Sequence, residues 1–234
     1  EKLTVDIKER LAKIRTKIKE AALRADRNPE EIRLIAVSKN QDLDKINTLQ
    51  EEGIVDFGES RVQELRDRYE QFPDVKWHMI GHLQRNKVKY LARMERCELI
   101  HSLDSLRLAK KINKRAGMED RVMKALVQVN IAKDENKYGL MASEIIDYLH
   151  QVADFENLQI KGLMTIVPHV EDAEEVRPYF KEMKDLAQRI REEDIASIKM
   201  DELSMGMSND FEVAVEEGAT MVRIGSELFG SRGY

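Results

Sequence analysis

The chain has 234 residues, of which 42% are hydrophobic and 35% charged, enough to bury a core as one large domain or two small ones. Its formal net charge of -5, with no basic block standing apart from the acidic residues around it, excludes long-range attraction to phosphate backbones or anionic lipid, and no apolar stretch is long enough to span a bilayer. A single cysteine, Cys97, excludes an internal disulfide and a multi-cysteine metal site; with nothing resembling a signal peptide, the expectation is a cytoplasmic protein with neither nucleic acid nor membrane as partner.

Leu3, Ile7, Leu11, Ile14 and Ile18 recur at helical spacing among lysines and glutamates, so residues 1–28 are expected to form a helix laid on another surface. After Asn28-Pro29 the pattern changes to short β-rich runs, each followed by a longer polar stretch of helical composition. The runs span 32–39, 53–59, 76–81, 98–105, 124–130, 158–166, 199–207 and 220–230. Strands alternating with helix-length segments predict βαβ units and a parallel sheet. Eight such units in roughly 200 residues fit an α/β fold with a single (β/α)8 TIM-type barrel and an extra N-terminal helix packed on it; a doubly wound open sheet is the rival. Only four prolines occur and no Gly/Ser-rich linker interrupts the alternation, so residues 1–234 are expected to form one domain.

A barrel restricts chemistry to the C-terminal ends of its strands. Lys39 closes the first run, Glu59 ends the second and Ser60 follows it, His82 follows the third, Asp104 and Ser105 end the fourth, and Asn130 the fifth. "LIAVS" before Lys39 places its amine at the mouth of a low-dielectric interior, where a neutral amine can attack an aldehyde and form a Schiff base. The last two runs offer an anion seat. "SMGMSNDFE" (204–212) carries hydroxyls at Ser204 and Ser208, beside Met207, and a glycine that lets backbone approach a ligand; "RIGS" (223–226) carries Arg223, Gly225 and Ser226. Barrels often hold a phosphate in the loops after strands seven and eight. An amine on strand one facing that seat describes a site for pyridoxal 5'-phosphate (PLP).

"AVSK", "DFGES", "WHMIGHLQRNKVK", "IHSLDS", "IKGLMTI" and "LSMGMSNDFE" together resemble the pyridoxal phosphate homeostasis protein family from about residue 30 onward. The resemblance implies a barrel similar to the N-terminal domain of alanine racemase, with Lys39 as the Schiff-base lysine, Ser208, Gly225 and Ser226 around the phosphate, and Arg223 facing the pyridine nitrogen. One departure is Ser60, where the family usually has asparagine; the shorter side chain offers fewer hydrogen bonds.

Two functions follow. In the first, the chain binds, buffers and carries PLP, with PLP-dependent apo-enzymes as recipients and no committed reaction. In the second it is a small racemase or decarboxylase. Racemisation needs proton donors on both faces of a carbanion, and His82 and Lys137 are the candidates for the second. Alanine racemases add a further domain for that purpose, and its absence suggests a monomer here. Trp77 and His78 are expected to pack, as are Cys97 and most methionines; no Walker-type, dinucleotide or metal-ligand spacing occurs.

Overall fold

Strands that are apolar on both faces need cover on both, and closure into a barrel sheathed by helices provides it. In a computed structural model, which describes residues 2–230 with side chains from Val5 onward, eight parallel strands form a closed barrel in sequence order. They are β1 (Arg33–Val37), β2 (Asp56–Glu59), β3 (Lys76–Met79), β4 (Cys97–Leu103), β5 (Met123–Gln128), β6 (Leu158–Met164), β7 (Glu202–Ser204) and β8 (Met221–Ile224). The pairing of Arg33 with Met221 through Ala36 with Ile224 closes the ring.

The helices are α1 (Lys2–Arg24), α2 (Leu43–Glu51), α3 (Val62–Tyr69), α4 (Val88–Ala92), α5 (Leu106–Met118), α6 (Ile145–Val152), α7 (Arg177–Glu193), α8 (Phe211–Glu216) and α9 (Ser226–Phe229). The expected stripe on α1 is buried at Ile7, Leu11, Ile14 and Ile18 against α2, α8 and α9; the Leu3 side chain lies outside the described residues. Beyond α1, Arg27 Nη1 donates to the carbonyls of Val215 (2.6 Å) and Ala219 (2.8 Å), tying the segment after α1 to the last turn of α8 and the loop that follows it. None of the described helices is long and apolar enough to cross a membrane.

Side-chain alternation decides what fills the barrel. Ile35, Leu99, Leu126, Met164 and Met221 form an apolar cluster separate from the large core under the helices. Two residues along a strand share a face. The parity that turns Ile35, Leu99 and Met221 inward therefore turns Arg33, His101 and Arg223 inward as well, and the interior is part apolar plug, part polar chain.

Each run overshoots its strand, and three do so by three residues or more at one end. Gly53, at φ 90°, ends the turn after α2, and β2 begins only at Asp56. The chain leaves β7 at Ser204 because Gly206, at φ 102°, turns it away, and the eighth run divides into β8 and α9 at Gly225. A charge expectation is also corrected: α5 (LRLAKKINKRAGM) is a basic block, whose flanking Asp104, Glu119 and Asp120 conceal it in a linear count.

β6 and β7 meet at Gly162 and Glu202, where a Cβ on the glycine would stand 1.8 Å from the Glu202 carbonyl oxygen. Both partners there are backbone. Gly162→Ala is therefore expected to lower stability by about 3 kcal/mol or more, read by urea denaturation; a variant within about 0.5 kcal/mol of wild type would show that this contact does not set the β6–β7 junction.

Candidate functional site

β1 hands the chain to Ser38, Lys39, Asn40 and Gln41, and Asn40, at φ 56°, makes the turn. Arg68 on α3 holds that turn at both ends, donating from Nη1 to the Ser38 carbonyl and from Nη2 to the Gln41 carbonyl (2.8 Å). Lys39 lies between the two. Arg68 is itself fixed by Glu59 Oε1 (3.0 Å), which also accepts from Ser38 Oγ (2.6 Å).

Glu59, at the end of β2, is fully buried, and burial pushes its carboxyl up to about 7 against the opposing pull of Ser38 and Arg68. Its neighbour Glu64 adds to the rise. Glu59 Oε2 and Glu64 Oε2 are both buried without a donor, so a proton held between the carboxyls answers both.

The loops after the neighbouring strands β7 and β8 are tied together at the barrel mouth. Ser208 Oγ accepts from Ser226 Oγ (3.2 Å) and from the Glu227 amide (3.2 Å), while Asp210 Oδ1 accepts from the Met207 amide (2.7 Å). Gly206 is required here, since a Cβ would meet the Ala214 Cβ at 2.7 Å. Lys39, Met207, Ser208, Arg223, Gly225 and Ser226 line one cavity of about 320 Å³, together with Gln41 and Asn209. Six residues singled out in the sequence thus converge on one space.

The other four do not line it. Ser204 is buried beneath, bonded to Arg223. Ser60 follows β2 with its carbonyl packed on Gly81, where a Cβ would clash at 2.2 Å. His82 stacks on Tyr138, ring centroids 3.8 Å apart, and Lys137 is exposed in the loop after β5.

Arg223 anchors a hydrogen-bond chain that sequence reasoning missed. Its Nη1 donates to Ser204 Oγ (2.5 Å) and its Nη2 to the Thr165 carbonyl (3.0 Å). Ser204 Oγ meets His101 Nδ1 (2.9 Å), His101 Nε2 meets His78 Nδ1 (2.9 Å), and His78 Nε2 meets Asp56 Oδ1 (2.8 Å), which also accepts from Arg33 Nη2 (2.7 Å).

The two ends of this chain assign its protons. Burial alone would raise the Asp56 carboxyl, but hydrogen bonds from His78 and Arg33 outweigh it and hold it down at about 2, so Asp56 only accepts. His78 then donates from Nε2, His101 from Nε2 and Ser204 from its hydroxyl, while Arg223 can only donate. Every link points toward Asp56. Burial also holds His101 well below the ordinary histidine value and brings Arg223 down to about 10.

His78 is therefore more than the packing residue the sequence suggested, whereas Trp77 does pack, against Phe57 and Phe72. Cys97 is a buried core thiol, pushed up to about 12 by burial. The signal that could have exposed the chain is polar residues at inward parity on adjacent strands: Arg33 on β1, Asp56 on β2, His78 on β3 and His101 on β4.

The arrangement sets a primary amine, a cluster of hydroxyls on glycine-bearing loops, and a buried guanidinium around one space. It suits a small molecule carrying both an aldehyde and an anionic group.

The family model for the alanine racemase N-terminal domain matches residues 10–233. The pyridoxal phosphate homeostasis protein of Aquifex aeolicus is 42% identical over 228 residues, covering 97% of this chain and 98% of that protein. That of Escherichia coli is 37% identical over 234 residues and covers 98% of each. Among solved structures, PipY of Synechococcus elongatus with PLP bound matches at a TM-score of 0.83 and 34% identity, over 96% of this chain and 100% of that one. The chain belongs to the pyridoxal phosphate homeostasis protein family, built on the alanine racemase N-terminal domain.

Proposed function

We propose that this chain binds PLP, with the Lys39 amine forming a Schiff base to its aldehyde, and that it buffers the cofactor and hands it on without a committed reaction of its own. The observation that carries this reading is the convergence of Lys39, Ser208, Ser226 and Arg223 on one cavity of about 320 Å³. That volume lies within the range of about 300–1,000 Å³ usual for small-ligand pockets.

The residues present fit the group. Ser208 and Ser226 offer hydroxyls, and Gly225 leaves the approach open, where a phosphate needs donors. Arg223 spends Nη1 and Nη2 contacts on Ser204 and Thr165 and keeps further N–H donors on a buried cation that lines the cavity. PLP supplies an aldehyde for imine exchange and a ring that acts as an electron sink. A cation held beside the ring nitrogen opposes its protonation and so mutes that sink.

The reading without a committed reaction has a second support. Among the described residues lining the cavity, Lys39 and Arg223 are the titratable side chains, and proton exchange on two faces of a carbanion needs a second acid or base besides the amine. His82 and Lys137 sit outside it. Exchange of Lys39 for an incoming amine, as in delivery to PLP-dependent apo-enzymes, requires no such donor. On this reading the protein works as a monomer in the cytoplasm.

With PLP saturating, no single amino acid is expected to be racemised or decarboxylated at enzyme rates of roughly 1 to 1000 per second, followed by chiral chromatography and carbon dioxide release. Turnover in that range would favour the racemase or decarboxylase reading instead.

The clamp on Lys39 adds a pH dependence. Glu59 has a folded value of about 7, above the ordinary 4.5, so its stabilisation is fully present below about 4.5 and is lost as pH rises through 7. Glu59→Gln keeps the neutral, hydrogen-bonding form at every pH. Its stability relative to wild type is expected to improve by roughly 1–3 kcal/mol between about pH 5 and pH 8, read by thermal melts. A difference that stays flat with pH would contradict a proton on Glu59.

A further inference from the structure

Among the described residues, α5 is the one helix of eight or more residues without an acidic side chain, in a chain whose net charge is -5. Arg107, Lys110, Lys111 and Lys114 are spaced by three and four, so they share one face of it. Opposite that face, the loop after β3 brings Arg85. The five cations and Asp104 line a cavity of about 830 Å³.

None of these cations is ion-paired among the described residues. Asp104, the acidic residue in the lining, forms no ion pair with them among the described residues, and one carboxylate against five cations leaves the lining strongly positive. His82, stacked on Tyr138, gives the cavity a fixed wall on the loop side. The cavity shares no lining residue with the one around Lys39. In the ring order β3 and β4 stand across the barrel from β7 and β8, so the two cavities sit on opposite sides of the mouth.

Five like charges facing one space repel each other and are relieved only by an anion that reaches several of them. A monophosphate, with at most two charges, leaves most of them unpaired. Phosphates joined in a row can bridge the helix face and the loop. We propose that this cavity binds a small molecule bearing two or more phosphate groups, the chemistry shared by nucleoside polyphosphates and inorganic polyphosphates. The proposal does not depend on what Lys39 binds.

The test is calorimetric titration of the full chain, saturated with PLP, by inorganic triphosphate, adenosine triphosphate and inorganic phosphate. Both polyphosphates are expected to bind with similar affinity, weakening as salt is raised, and inorganic phosphate at least about tenfold more weakly. Lys111→Gln with Lys114→Gln is expected to weaken both by about tenfold or more and to leave PLP absorbance unchanged. Arg85→Gln with Lys110→Gln provides a second pair should the first fail to fold. No binding of either polyphosphate, or equal binding by the variants, would overturn the proposal. So would binding of adenosine triphosphate alone, which would assign the contact to the nucleoside. Equal competition by a short single-stranded RNA would reduce the site to a general cationic face and would likewise overturn it.

Discussion

A guanidinium taken out of water needs acceptors, and Arg223, which is 2% exposed at the top of the barrel, obtains them from inside the sheet. Thr165 gives a carbonyl and Ser204 a hydroxyl, but that hydroxyl can accept only if its own proton goes elsewhere. It goes to His101, then by way of His78 to the carboxylate of Asp56, so the orientation of the cation at the mouth is settled by an ionised acid in the barrel interior. A half-satisfied chain would be worse than an apolar core. Each member therefore constrains the next, while Ile35, Leu99, Leu126, Met164 and Met221 fill the space the chain leaves.

Lys39 is placed by a different device, past the end of the neighbouring strand β1. It stands just past β1, on a turn that α3 grips through Arg68, and Glu59 holds that arginine from below. Two arginines thus do separate work: Arg68 fixes backbone so that an amine has a position, and Arg223 presents its own charge to the cavity. The loops after β7 and β8 complete the space because Ser208 ties one to the other, leaving their glycines free of bulk.

Much of this was legible in the sequence, for physical reasons. Alternation of β-rich runs with helix-length polar stretches has few solutions, and the barrel among them dictates which ends carry chemistry. Lys39 could be named because an apolar run delivers an amine to the barrel mouth, and Ser208, Gly225 and Ser226 because small and hydroxylated residues in loops after the last strands have a specific use. The chain from Arg223 to Asp56 could not be. Ser204 and His101 lie 103 positions apart, and nothing local distinguishes an inward histidine that bonds from one that packs. The clamp was hidden likewise, since Arg68 and the Ser38 carbonyl are 30 positions apart and meet only when α3 folds over β1. Strand ends blurred where a glycine turned the chain, as at Gly206, and the basic face of α5 disappeared into a linear charge count that helical periodicity alone would have resolved.

On the proposed reading, the Lys39 amine, two residues past β1, is the one that meets the cofactor. Borohydride reduction of the protein with PLP, followed by mass mapping of the digested chain, addresses it directly. A single stable pyridoxyl adduct on the peptide carrying Lys39 is expected. An adduct on another lysine, or none at all, would contradict it.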